Sequence, residues 1–121
     1  MSEIQHFTIP GRLPGYNQLN SGHWAKRNKI KQEAMDLVGW YIKRSKLKLI
    51  QSKAIIEIRC YEPNAMRDCD NVTSGASKVI LDSLKNQGII QDDSRKYVRC
   101  IKHPAEVDRK NPRIEVSITI C

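Results

Sequence analysis

Apolar and polar residues alternate along this chain with two periods, and the places where the period changes divide it into elements. Ile4 to Ile9 reads as a short first strand closed by Pro10-Gly11, followed by a loop through Pro14-Gly15 and Asn17 to Gly22. From Trp24 to about Lys46, the residues Ile30, Ala34, Leu37, Val38, Tyr41 and Ile42 fall on one face of a helix. Gly39 inside that helix costs ~1 kcal/mol relative to Ala, which so regular a stripe outweighs. Ala54 to Tyr61 is a strand whose more apolar side carries Ala54, Ile56, Ile58 and Cys60, and Glu62-Pro63-Asn64 ends it. A second helix is predicted over Asn71 to Asn86, with the stripe Val72, Ala76, Val79, Ile80 and Leu84, a cap at Asn71 and a stop at Gly88. Two strands follow, at Tyr97 to His103 and Arg113 to Ile120. In the last, Ile114, Val116, Ile118 and Ile120 alternate with Arg113, Glu115, Ser117 and Thr119, the pattern of a sheet with one wet face.

The order β-α-β-α-β-β predicts an α+β domain in two layers, a mixed sheet covered by two helices. A strand that returns through a helical crossover is expected parallel to its predecessor, and the last two strands are expected to pair as an antiparallel ribbon. A length of 121 residues suits one domain over 1–121. No apolar run is long enough to cross a bilayer, and the first residues lack the basic-then-apolar pattern of a secretory signal, so no membrane association and a cytoplasmic location are expected.

Charge narrows the partners. Lys and Arg outnumber Asp and Glu by 21 to 13, for a formal net charge of +8, so a polyanion is the natural ligand. Lys26, Arg27, Lys29 and Lys31 crowd the start of the long helix, where the dipole would prefer anions; a DNA backbone is one external demand that would explain them, and a solvated basic face is another. Lys43, Arg44, Lys46 and Lys48 at its end simply suit the dipole. The loop before it carries Tyr16, Asn17 and Asn20, side chains able to bond phosphate or sugar, though an ordinary surface loop reads the same way. An aromatic share of 6% argues against an RNA module that stacks bases. Cys60, Cys69, Cys100 and Cys121 form no Cys-x-x-Cys pair, and His6, His23 and His103 have no metal spacing. Cys60 and Cys100 are expected to pack as small apolar side chains.

The candidate chemistry lies in Arg67-Asp68-Cys69-Asp70-Asn71, between the second strand and the second helix. Alternation across an extended segment would put Asp68 and Asp70 on one side, where their oxygens suit Mg²⁺ or Mn²⁺ better than the intervening thiol does. Lys78 returns to the same polar helix face nearly two turns on and is placed to neutralise a phosphate, while Asp82 is its i,i+4 partner. Gly88 is followed by the pair Asp92-Asp93, whose side chains diverge, so that one of the two faces the first aspartates and the other caps a turn. By spacing alone, these acids also read as solvated turn formers.

Taken together, Arg67-Asp68-Cys69-Asp70-Asn71, then Lys78-Val79-Ile80-Leu81-Asp82-Ser83-Leu84, then Gly88 and Asp92-Asp93, resemble the signature of RusA-like endodeoxyribonucleases, crossover junction resolvases of phage and prophage type. That pattern is Asp-x-Asp-Asn, a helix with Lys and Leu-Asp-x-Leu, a Gly and an Asp-Asp pair. The resemblance implies a Mg²⁺-dependent homodimer that resolves four-way DNA junctions, without an organic cofactor. It assigns the catalytic acids to Asp68, Asp70 and Asp93, the catalytic Lys to Lys78, and the metal to Asp68, Asp70 and Asp93 with Asp92 as an exchangeable neighbour. In the best-known form the Lys follows the Asp-Asn pair by about one turn, whereas here Val72 to Ser77 intervene. Asn17, Lys26, Arg27, Arg67, Lys96 and Lys102 are the expected DNA contacts; with Arg95 and the bound cation, the basic residues near the acids would reverse their repulsion of the backbone. The rival reading is a non-catalytic DNA- or junction-binding protein, for which an ordered set of acids is unnecessary.

Overall fold

The computed structural model describes residues 3–92 and 96–120. Its elements are β1 (Glu3–Pro10), α1 (Tyr16–Asn20), α2 (Trp24–Arg44), β2 (Ala54–Glu62), α3 (Cys69–Asn86), β3 (Val98–Lys102), β4 (Glu106–Val107) and β5 (Arg113–Ile120). The strands form one mixed sheet in the order β1-β5-β2-β3, with β4 paired to the far end of β2. Phe7 and Ile9 of β1, Ile114, Val116 and Ile118 of β5, and Ala54, Ile56, Ile58 and Cys60 of β2 are all buried. They share one sheet face, and α2 and α3 pack on it with Ala34, Val38, Ile42, Val72, Ala76, Val79, Ile80 and Leu84. The opposite face keeps Ile55, Glu57, Arg59 and Tyr61 half-exposed because no helix among the described residues covers it. The α+β, two-layer expectation therefore holds.

Three expectations need correction. The long first loop contains a five-residue helix, α1, which packs on α2 and α3 and not on the sheet, so the described residues hold three helices. A two-residue strand, β4, continues the sheet beside Tyr61 and Glu62. The last long strands do not form a ribbon: β3 is parallel to β2, as the crossover through α3 predicts, while β5 lies antiparallel between β1 and β2. Burial accounts for this placement. Each of Ile114, Val116 and Ile118 on β5 is covered, as a central strand requires, whereas β3 has only Val98 buried among its five residues and forms an edge.

Helix α3 ends as the sequence indicates. Gly88 has φ of 75°, which a side chain would strain, and Gly88 N donates to Lys85 O at 3.0 Å while Ile89 N donates to Leu84 O at 2.9 Å. This turn directs Ile89 and Ile90 back into the core, where Ile50 N binds Ile89 O at 2.8 Å.

Candidate active site

The chain leaves β2 at Glu62 and enters α3 at Cys69, so the acid motif is a strand-to-helix turn and not an extended run. Asp68 is the N-cap, with extended backbone at φ −61° and ψ 143°, and Asp70 lies in the helix's first turn. The same-side expectation from strand alternation therefore does not apply. Asp at these two positions is favoured by the unpaired amides and positive end of the helix. The Asp68 side chain makes no capping bond. Both carboxylates are exposed, and among the described residues neither has a hydrogen-bond or ion-pair partner.

Asn71, the expected cap, has another task, since its Oδ1 accepts from Asn17 N at 2.8 Å, fastening α1 to the start of α3. Two glycines permit that approach. A Cβ on Gly75 would lie 2.3 Å from Pro14 O and 2.7 Å from Tyr16 N, and one on Gly15 would lie 2.6 Å from the Asn71 amide. The loop holding Tyr16 and Asn17 thus rests on α3 beside the acids. Arg67 completes the fastening: its Nη1 donates to Leu13 O at 3.0 Å, and its Nε and Nη2 donate to the Glu62 carboxylate at 2.8 and 2.9 Å. Expected as a DNA contact, Arg67 has its donors turned inward. A hollow of about 300 Å³ lies beside Asp68, lined by Glu62, Asn64, Arg67, Cys69 and Glu106.

The other end of α3 is different. Lys78 Nζ lies 3.6 Å from Asp82, and Asp82 also binds Lys31 of α2 at 2.7 Å, so Lys31 answers a demand inside the fold. Lys85 Nζ lies 3.5 Å from Asp92. Because Lys85 is about 22 Å along the helix from Asp70, this pairing separates Asp92 from the acid motif. Asp93 and Arg95 lie outside the described residues, and among those described no group of three His, Cys, Asp or Glu side chains could hold an ion.

The structure does unite two of the expected DNA contacts. Lys96 and Lys102 line one open groove of about 800 Å³ between α3 and the edge strand β3, together with Arg99, Ser77 and Leu81. Helical spacing puts Asp70, Ser74, Ser77 and Leu81 on one stripe, so the groove, which begins at Ser77, lies on the same side of α3 as Asp70 and about 10 Å further along the helix. Arg99 was missed, although its alternate position in a basic edge strand was a readable signal. Lys26 is exposed in the first turn of α2, while Arg27 is half-buried, with its Nε shielded from solvent and unbonded among the described residues. Cys60 and Cys100 pack as expected, Cys60 buried with its pKa pushed up to about 12 by desolvation and Cys100 half-buried against the core, while the exposed Cys69 accepts at Sγ from Ala105 N at 3.2 Å.

A family model described as endodeoxyribonuclease RusA matches residues 7–119. The chain belongs to the RusA endodeoxyribonuclease family. A search of curated proteins found no match. The RusA match runs from within β1 to within β5 and so takes in all of β2, β3 and β4, part of β1 and β5, the α1 segment and the acid motif. Membership supports a nuclease and disfavours the purely binding alternative. No helix among the described residues is long and apolar enough to cross a membrane.

Proposed function

We propose that this RusA-family chain is a metal-dependent endonuclease that resolves four-way DNA junctions in recombination and repair, acting as a homodimer in the cytoplasm. The observation that carries the reading is the pair Asp68 and Asp70, two exposed carboxylates without side-chain partners among the described residues, with a cation-lined groove beginning about 10 Å further along α3 on the side of Asp70. Exposed acids beside a polyanion site are unfavourable for binding alone; a divalent cation reverses that sign.

The donor set fits such an ion. Mg²⁺ is commonly held by one or two carboxylates plus substrate phosphates, with water retained, and Mn²⁺ accepts the same hard oxygens. Asp68 and Asp70 would hold it; Asp92, paired with Lys85, is left out, and Asp93, the third acid that the resemblance implies, lies outside the described residues. When bound, the ion would supply a polarised phosphate and an activated water. The chain's own contribution is positional. Lys96, Arg99 and Lys102 would receive the strand's phosphates, Asn17 and Lys26 would contact the backbone from the α1 and α2 side, and Lys78 would exchange its 3.6 Å pairing with Asp82 for a phosphate. A two-fold dimer would offer two sites to the two-fold junction.

Nicking of a mobile four-way junction is compared with that of a linear duplex of the same sequence, each with and without Mg²⁺. Junction-selective, Mg²⁺-dependent, paired incisions are expected. Equal cutting of both substrates would reduce the reading to a general nuclease, and cutting in chelator would remove the metal from it.

A further inference from the structure

Glu62 is an acid buried where the sheet meets the acid motif, 5% exposed, and it continues the inward side of β2 after Cys60. Its carboxylate is surrounded by arginine donors. Besides the two bonds from Arg67, Arg12 gives Nη2 to Oε1 at 2.8 Å and Nε to Oε2 at 3.4 Å. Burial alone would push the Glu62 pKa up, but hydrogen bonds from Arg67 and Arg12 outweigh it and hold the carboxyl below its ordinary value. Four N–H donors occupy the sites at which such a carboxylate accepts bonds, so Glu62 is unsuited to ligate an ion itself.

The geometry instead assigns Glu62 as a positioning residue for the acid-bearing turn, a reading that rests on the proposed nuclease site. Arg12 follows β1, Glu62 ends β2, and Arg67 immediately precedes Asp68. Through Arg67 Nη1 and Leu13 O the same cluster holds the start of the Pro14-Gly15 loop, which itself lies against Gly75 and Asn71 of α3. A closed circuit of contacts thus runs from Glu62 through Arg67, Leu13 and α1 back to α3. The Glu62 backbone is fixed as well, its carbonyl accepting from Asp108 N at 2.8 Å. Asp68 and Asp70, whose side chains have no bonds of their own among the described residues, inherit their spacing from that circuit.

Glu62→Gln keeps the side-chain shape but removes the charge and forces an amide N–H₂ against guanidinium donors. Glu57→Gln, which alters the His103 contact on the uncovered sheet face, is the control. Three quantities are measured on the full chain: Mn²⁺ affinity by calorimetry, kcat and KM on junction DNA, and amide exchange by segment. The expected result for Glu62→Gln is Mn²⁺ binding weakened about tenfold, kcat lowered comparably and KM within about twofold. Exchange should accelerate over residues 68–72 and 13–19, while residues 34–42 inside α2 remain as in the parent. Unchanged Mn²⁺ affinity with unchanged local exchange would overturn the assignment, as would acceleration throughout the chain. A parent protein that binds Mn²⁺ yet cuts no DNA would sink the nuclease reading, while affinity and exchange would still decide the role of Glu62. If the parent binds no Mn²⁺, exchange alone decides it.

Discussion

The two ends of α3 carry charged residues to opposite effect. At the start, the side chains of Asp68 and Asp70 have no partners among the described residues, although the backbone around them is fastened by Asn71, Gly75 and Arg67. Toward the end, Lys78, Asp82 and Lys85 are engaged, with each other, with Lys31 or with Asp92. Ion pairs on a half-exposed surface contribute only about 0.2–1 kcal/mol, so the paired end represents ordinary structural use of charge. A rigid turn that presents unpaired acids has no such structural return, and its natural beneficiary is a ligand.

The sharpest break in that comparison exchanges one acid from each end. Asp70→Asn should lower junction cleavage by at least about 10³-fold while leaving binding and melting temperature close to the parent. Asp82→Asn should do the reverse, costing ~0.5 kcal/mol of stability through the lost Lys31 and Lys78 pairs with cleavage little changed. Cleavage kinetics and thermal melts of both variants decide it. Substantial nicking by Asp70→Asn would erase the distinction between the two ends.

Two glycines test whether fastening matters as much as the acids. A Cβ on Gly75 would meet backbone atoms of Pro14, Gly15 and Tyr16, which cannot swing aside. Gly75→Ala should therefore destabilise by about 2 kcal/mol and reduce cleavage, because α1 must lift from the acid end. Gly39 in α2 faces only the end of the Gln87 side chain, whose amide nitrogen would lie 2.9 Å from an added Cβ and can rotate away. Gly39→Ala should gain up to ~1 kcal/mol from helix propensity and leave cleavage unchanged. Chemical denaturation of both variants distinguishes the outcomes, and equal effects would mean that the α1 contact is incidental.

The contrast also explains what was legible in the sequence. The stripe of α3, the alternation of β5 and the stop at Gly88 depend on local periods and one backbone conformation, and these survive in any tertiary setting. The insertion of β5 beside β1 joins residues more than a hundred positions apart, as in Phe7 opposite Val116, and no local period encodes that pairing. Helix α1 has only five residues, too few to show a period, and it is held by packing on Gly75 and not by propensity. Asp68, Asp70 and Asn71 are all competent caps, so the start of α3 was ambiguous by a turn, and with it the directions of the acids. Glu62 left a signal that went unread: it keeps the inward parity of Ala54, Ile56, Ile58 and Cys60, and an acid on that side requires buried cations.

The groove beside α3 yields a smaller effect. Replacing Lys96, Arg99 and Lys102 together by alanine should make the dependence of log affinity on log salt shallower by roughly 2–3, equally for all DNA sequences, because about one counterion per lost phosphate contact is no longer released. Replacing Lys43, Arg44 and Lys46, at the end of α2, should leave that slope as in the parent. Fluorescence anisotropy across a salt series measures it. Equal slopes for the two triple variants would mean that the basic charge acts diffusely and that the groove is not the path of the strand.

Lys78 sits between the two ends in both position and use, and its substitution should have the smallest effect. Its side chain is more than half exposed, with the amine 3.6 Å from Asp82, a weak attachment, and Asp82 keeps the shorter 2.7 Å bond to Lys31 when Lys78 is gone. Lys78→Ala should therefore leave stability within ~0.3 kcal/mol of the parent. If Lys78 exchanges Asp82 for a phosphate, the same variant should lower the cleavage rate by about tenfold at saturating DNA, and Asp82→Asn, which releases the amine, should raise it slightly. Single-turnover rates of the two variants provide the test. A parent-like rate for Lys78→Ala would assign this residue to the paired, structural end of α3 and leave phosphate neutralisation to the cations across the groove.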